Sequence, residues 1–335
     1  MKRLLLCLLA LCLLPLNAPG ALGEEDTPYD RHGPLRVEGG RLVDSAGAPV
    51  QLRGVSTHGL NWYPQYVSEK SFRTLRDDWG VSVVRLAMFT ADYAGYLNGG
   101  NQASLLTRID MGVQACTDLG LYVIIDWHIL NDGDPTAHQE EAKVFFREMA
   151  SRYGNLGNVL YEICNEPNGP VAWLDVRGYA EAVLPEIRAY APEAVVLCGT
   201  PTWSQDVDAV AASPLEDDHV MYVLHFYAAT HGEGLRRKLQ SALKAGTPVF
   251  ITECGIGEAS GDGRIDYDSA AAWKALIDEH GLSYVGWNLS NKDETSAFIR
   301  PDCGKTCDWK VEDLSETGVW LREALRSDRE REDAR

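Results

Sequence analysis

The chain has 335 residues, of which 45% are hydrophobic and 24% charged, which excludes disordered and collagen-like classes and allows one large core. A net charge of −18 makes nucleic acid and anionic membranes poor partners and points to a neutral or cationic substrate.

Residues 1–23, MKRLLLCLLALCLLPLNAPGALG, start basic, run apolar to a break at Pro15 and end in small residues before Glu24. That pattern is a cleavable signal peptide with processing near Gly23. Its unbroken apolar stretch is too short to span a bilayer comfortably, so a secreted product is expected; a lipid anchor at Cys12 is the weaker alternative, because the bulky Leu11 before it fits a lipoprotein processing site poorly. Residues 24–34 read as a flexible acidic segment. Leu35 to Arg53 reads as a β-hairpin turning at Gly39-Gly40, with a second turn at Ser45-Ala46-Gly47.

From Val50 onward apolar strands alternate with amphipathic helices. The first strand ends at Ser56-Thr57-His58, and a helix spans about Ser68 to Asp78. The second, Val81 to Met88, carries Val83, Arg85 and Ala87 on one face and precedes a helix near Leu105 to Leu119. The third, Leu121 to His128, puts Asp126 and His128 on one face, before a helix from about Ala137 to Tyr153. The fourth, from Val159, places Leu160, Glu162, Cys164 and Glu166 on one face and stops at Pro167, which cannot extend a ladder. Its helix lies around Tyr179 to Ala191. The fifth strand, Ala194 to Cys198, ends before Trp203. The sixth, Val220 to Leu224, delivers His225 and Tyr227 ahead of a helix at Leu235 to Ala245. The seventh, Pro248 to Thr252, delivers Glu253, and Ser269 to His280 is helical. The eighth, Ser283 to Gly286, delivers Trp287, and a helix near Glu316 to Arg326 closes the set.

Eight strand and helix pairs in alternation predict an α/β fold with parallel strands and right-handed crossovers. The count of eight favours a single-domain (β/α)8 TIM barrel over residues 35–326, preceded by the hairpin. A doubly wound open sheet is the alternative, but Arg53 to Gly59 is neither a GxGxxG turn nor a P-loop. Residues 327–335 are charged and expected to fray as a C-terminal tail.

Of 8 cysteines, Cys7 and Cys12 fall in the signal; Cys116, Cys164, Cys198, Cys254, Cys303 and Cys307 remain. Cys303 and Cys307 flank a polar loop where a disulfide clip is plausible. Cys164 and Cys198 lie in apolar runs, where free thiols acting as core hydrophobes are expected; a disulfide from Cys164 to Cys198 or Cys254 would overturn that. No CxxC or HxxxH spacing points to a metal.

The predicted strand ends gather His58, Arg85, His128, Asn165, Glu166, Trp203, His225, Tyr227, Glu253 and Trp287. Burying ionisable groups is costly unless they are paired, so clustering them implies a working site or an expensive structural network, and in a barrel this end carries the chemistry. Glu166 and Glu253 suit glycoside hydrolysis, in which one carboxyl protonates the leaving oxygen and the other attacks or activates water. Those roles need different protonation states, and Arg85 is the obvious group to keep one carboxylate charged. Trp62, Trp203 and Trp287 add aromatic faces on which pyranose rings stack.

YEICNEPNG around Glu166, HFYAATHG around His225, ITECG around Glu253 and GWNLSNKDETSA after the eighth strand together resemble the bacterial endoglucanases (cellulases) of glycoside hydrolase family 5. RGVSTHGLNWYP, VVRLAMFT, IIDWHIL and GTPTWSQDVD fit the same pattern. The resemblance implies a retaining barrel enzyme with Glu166 as acid/base and Glu253 as nucleophile, working without a cofactor or metal. It also implies that Arg85 and Tyr227 orient Glu253, His225 supports Glu166, Asn165 binds the sugar 2-hydroxyl, and His128 completes the set. His58, Trp62, Phe89, His128, Trp203, Tyr227, Ala259, Ser260, Trp287, Lys292, Asp293 and Glu294 would bind sugar. Cys254 stands where Trp is usual, Cys164 where Ala is usual, and Phe89 where Tyr is frequent, none of them removing a catalytic group. The expected activity is that of a secreted, monomeric endo-β-1,4-glucanase acting on a β-glucan polysaccharide. The alternatives are the same mechanism on mannan, xylan, xyloglucan or lichenan, or a non-catalytic sugar-binding relic.

Overall fold

The computed structural model describes residues 26–334, so the expected signal peptide lies outside the described residues. A hairpin of β1 (Arg36–Glu38) and β2 (Arg41–Val43) turns through Gly39 and Gly40, both at positive φ, where glycine alone avoids a Cβ clash. Eight further strands follow: β3 (Arg53–Thr57), β4 (Val83–Phe89), β5 (Tyr122–His128), β6 (Val159–Glu162), β7 (Val196–Cys198), β8 (Val220–Tyr227), β9 (Val249–Gly255) and β10 (Tyr284–Leu289). They pair in parallel and in sequence, and β10 closes on β3, giving a barrel. The (β/α)8 fold and the hairpin are therefore as the sequence leads one to expect. Every residue of these eight strands is buried, as parallel strands covered on both faces require.

The strands are joined by α2 (Glu69–Thr74), α3 (Gln102–Asp118), α4 (Gln139–Tyr153), α5 (Trp173–Arg188), α6 (Pro201–Ser204), α7 (Glu233–Lys244), α8 (Tyr267–His280) and α9 (Glu316–Asp333), after a short α1 (Pro28–His32). Side-chain caps start several of them: Ser68, Asn101, Asp266 and Ser315 each accept a first-turn N–H.

Along the barrel axis the lumen changes from oil to charge. Its base is apolar, with Val83, Tyr122, Ile124, Leu160, Leu197, Val223, Phe250 and Val285 packed against Leu42 of the hairpin. One layer higher come Arg85, Asp126, Glu162, His225 and Thr252, all between 0% and 1% exposed. Phe89, Tyr227 and Trp287 then line the mouth. The apolar base supports a charged layer that only mutual pairing can make tolerable.

The structure corrects five local expectations. Residues 28–32 of the segment read as flexible form α1, closed by a Thr27–Asp30 capping box. The tail read as fraying continues α9 to Asp333, because Glu332 pairs with the buried Arg53 and Asp333 pairs with Arg31 at 2.9 Å. The fifth strand is followed by no amphipathic helix; the short α6 and a 3₁₀ turn at Val207–Ala212 fill its place. Cys164 leaves the lumen face: β6 ends at Glu162, and the thiol packs in the outer layer near Cys198 and Tyr179 of α5. Finally, Cys303 and Cys307 form no clip. All six cysteines among the described residues are free thiols, and these two turn to Asp313 and Asp308.

Candidate active site

The C-terminal mouth of the barrel holds a cleft of about 260 Å³ lined by Trp62, His128, Glu166, Tyr227, Glu253 and Trp287, among others. A larger depression at the opposite end is lined by several arginines, but Arg31, Arg53 and Arg73 there are paired with Asp333, Glu332 and Glu69. Its aspartates, Asp26, Asp30, Asp77 and Asp118, lie among these arginines, and neither Glu166 nor Glu253 reaches it.

Two strand ends bring the acids together. After β6 the chain bends so that Asn165 and Glu166 reach the mouth, with Gly199 of the next strand end pressed close. A Cβ on Gly199 would lie 2.2 Å from the Cys164 carbonyl oxygen. In β9 the register shifts between Phe250 and Glu253, a bulge that turns the consecutive residues Thr252 and Glu253 both toward the lumen. Glu166, His225 and Glu253 each present a ligating atom within 4.8 Å of the others.

Arg85 organises the layer beneath. It donates to Glu162 through Nε at 2.7 Å and Nη2 at 3.1 Å, to Asn165 Oδ1 at 2.6 Å and to Glu253 Oε2 at 3.3 Å. Asp126 Oδ2 lies 3.0 Å from the same guanidinium and 2.6 Å from His128 Nδ1. Glu253 Oε1 accepts from the Tyr227 hydroxyl at 2.6 Å. On the other side Glu166 Oε1 meets His225 Nδ1 at 2.8 Å, and His225 Nε2 meets Thr252 Oγ1 at 2.9 Å.

One buried cation thus faces Asp126, Glu162, Glu166 and Glu253, too few charges to hold all four acids ionised in a dry site. Burial pushes Glu166 up to about 8, opposed by Arg85 and reinforced by Asp126 and Glu162. Burial pushes Glu253 up to about 7, with Arg85 and the Tyr227 hydroxyl pulling the other way. Burial drives His225 down to about 4 and His128 well below the usual imidazole range, so both are neutral at neutral pH. Of the two acids at the mouth, Glu253 is the one stabilised as a carboxylate, since it accepts from both Tyr227 and Arg85.

Most of the residues picked out from the sequence converge here. His58, Phe89, Ala259, Ser260, Lys292 and Glu294 join the lining, and Arg85, Asn165 and His225 lie just below it. His58 stacks near Trp62, Phe89 and Trp287 to make an aromatic floor. Glu294 is positioned by Lys292 at 2.6 Å and by Ser296 and Asn288. Trp203 stands half exposed outside that lining, and its backbone N–H donates to the Pro167 carbonyl at 3.0 Å. It sits on a turn in which Thr202, Trp203 and Ser204 all have left-handed φ of 55° to 58°, rare for residues other than glycine. Ser204 Oγ anchors that turn by donating to the Asn165 carbonyl at 2.6 Å. Asp293 is exposed and takes no part in the lining.

Asp92, Leu130 and Gly261 of the lining, and Asp126, Glu162 and Thr252 below it, were not among the residues chosen from the sequence. Period-two alternation held the signal for two of them: Glu162 shares a face with Glu166, and Asp126 with His128. Thr252 carried none, because alternation would turn it away from the side that Glu253 faces.

The family model described as Cellulase (glycosyl hydrolase family 5) matches residues 43–293. Endoglucanase A of Butyrivibrio fibrisolvens is 51% identical over 299 residues, 88% of this chain and 69% of that protein. Endoglucanase N of Pectobacterium atrosepticum is 44% identical over 302 residues, 90% of this chain and 67% of the relative. Among solved structures, the catalytic domain of Thermobifida fusca endoglucanase Cel5A matches with a TM-score of 0.85 at 38% identity, covering 90% of this chain and 99% of that one. A variant of that domain, 37% identical to this chain, has been solved in complex with cellotetraose. A family match across most of the barrel, at these identities and on this geometry, places the chain among the cellulases of glycosyl hydrolase family 5, as a glycoside hydrolase.

Proposed function

We propose that the protein is a secreted, monomeric endo-β-1,4-glucanase that cleaves internal bonds of cellulose or related β-glucans with retention of anomeric configuration. The observation that carries this reading is that one carboxyl oxygen of Glu166 and one of Glu253 lie within 4.8 Å of each other. Retaining glycosidases keep their two carboxyls about 5–5.5 Å apart, whereas inverting ones leave roughly 6.5–9.5 Å for a water.

In the first step Glu253, held ionised by Tyr227 and Arg85, attacks the anomeric carbon while Glu166 gives its proton to the departing glycosidic oxygen. In the second step water attacks the glycosyl-enzyme ester, its proton passes to Glu166, and the sugar leaves Glu253 as a carboxylate. Asn165, fixed between Arg85 and the Ile129 carbonyl, stands beside the acid, where it can contact the sugar 2-hydroxyl. Trp62, Trp287, Lys292 and Glu294 line the cleft, and the exposed Trp203 beside the Glu166 strand end supports a binding face that continues past it, which suits internal cleavage.

Reducing-sugar release from soluble cellulose derivatives, compared with mannan, xylan, xyloglucan and lichenan, tests the substrate. Glu253→Gln should lower turnover at least ~10⁴-fold, since it removes the attacking group. A variant retaining full activity would sink the assignment, a first product of inverted configuration would refute the mechanism, and a faster rate on mannan would reassign the substrate. Export predicts a mature N-terminus near Glu24.

A further inference from the structure

Glu166 has to enter the reaction protonated, and a hydrogen-bond chain beneath it determines where that proton sits. Burial and Asp126 push the Glu162 carboxyl upward, but Arg85 grips it with two bonds, at 2.7 and 3.1 Å, a bidentate pairing that favours a carboxylate that only accepts. Thr252 Oγ1 lies 2.8 Å from Glu162 Oε1, which commits the hydroxyl hydrogen to that carboxylate. Toward His225 Nε2, at 2.9 Å, Thr252 is therefore left as an acceptor, and Nε2 carries the ring hydrogen. In a neutral imidazole that leaves Nδ1 bare. Nδ1 faces Glu166 Oε1 at 2.8 Å, and this contact is a hydrogen bond only if the carboxyl supplies the hydrogen.

We propose that Thr252 and Glu162 are positioning residues that set the tautomer of His225 and so keep the proton on Glu166 before the glycosidic bond breaks. This rests on Glu166 being the acid of the reaction. The same polarity serves the second step. Once Glu166 has given up its proton, its carboxylate faces a nitrogen lone pair, a repulsive contact that is relieved when it takes a proton from the attacking water. Burial of His225, whose imidazole is driven down to about 4, supports the neutral ring that the chain needs. Arg85, Asp126, His128, Tyr227, Glu253 and His231 are the other titratable groups around this pair, and none is altered by a change at Thr252.

The test is Thr252→Val, which keeps the shape and removes the hydroxyl, with Thr252→Ser as the conservative control. Without its acceptor, His225 is free to place its hydrogen on Nδ1 and donate to an ionised Glu166. On cellotetraose, whose leaving group needs a proton, kcat/KM should fall ~10-fold or more, a tenfold loss being about 1.4 kcal/mol. The alkaline limb of its pH profile should move about one unit lower. On 2,4-dinitrophenyl β-cellobioside, whose leaving group departs without a proton, kcat/KM should stay within ~2-fold. Thr252→Ser should restore both. Equal losses on the two substrates with an unmoved alkaline limb would show a packing role and overturn the proposal. Nitrogen-15 NMR of histidine-labelled unaltered protein reads the tautomer even if the valine variant does not fold: Nε2–H on His225 is expected, and Nδ1–H would refute the chain. A wild-type protein inactive on both substrates would refute the cellulase reading and leave the tautomer result standing on its own.

Discussion

Removing one hydroxyl from Tyr227 should disable the nucleophile without touching it. The Tyr227 hydroxyl donates to Glu253 Oε1 at 2.6 Å, in a site where Glu253 is 5% exposed and no bulk water can take over the bond. A hydrogen bond to a charged group nets about 1.5–3 kcal/mol, and at about 1.36 kcal/mol per pH unit its loss should raise the Glu253 pKa by ~1–2 units. Starting from about 7, that carries the carboxyl above neutrality, so that the attacking carboxylate becomes a minority species at pH 7. Tyr227→Phe should therefore lose ~10–100-fold in kcat/KM at pH 7 and recover part of it at higher pH. The assay is the pH profile of kcat/KM on cellotetraose, where the acid limb should move up by ~1–2 units. If the loss is the same at every pH and the acid limb stays in place, the hydroxyl does not hold the carboxylate, and the reasoning fails.

The raised acids also act on stability. Glu166 has a folded value of about 8 against an ordinary 4.5, so the native state holds this proton more tightly than the unfolded chain does. Its stabilising contribution is complete below about 4.5 and is lost as the pH rises through about 8, so the thermal midpoint should fall between pH 5 and pH 9. Glu166→Gln should flatten that fall, and a variant with the wild-type slope would show that the group does not titrate in this way. At the left-handed turn, Ser204→Ala removes the 2.6 Å bond to the Asn165 carbonyl, at a cost of about 1 kcal/mol, and should raise KM for cello-oligosaccharides as Trp203 loses its seat. An unchanged thermal midpoint and KM would mean that the turn is held by its other bonds.

Local pattern carried much of this protein. Apolar runs of strand length, separated by helical periodicity, foretold the eight strands in order, although β6 ends at Glu162, short of the stop expected at Pro167. Glu166 and Glu253 stood out as acids at predicted strand ends. Misreadings arose wherever a local rule was overridden by a distant contact. Cys164 was assigned to the lumen by alternation, but the chain bends after Glu162 to bring Glu166 to the mouth, and that bend sends the thiol outward. The charged C-terminus looked suited to fray, yet Arg53, buried 279 residues away, requires the carboxylate of Glu332. Residues 28–32 looked flexible because a five-residue helix has little intrinsic stability, but Tyr29 packs against Tyr122 and bonds the Gly120 carbonyl.

The fold class was thus legible in the sequence itself, because hydrophobic period is a local property, and the motifs that resemble family 5 singled out Glu166, Glu253, Arg85, His128, Asn165, His225 and Tyr227 as candidate site residues. Only the tertiary structure decided which protonation state each acid holds and what sets it. That depends on the β9 bulge turning Thr252 inward beside Glu253, on the single guanidinium paired with Asp126, Glu162 and Glu253, and on the chain of contacts from Glu162 to Glu166. These are facts about distance and burial between strands far apart in the chain, and no period along one strand encodes them.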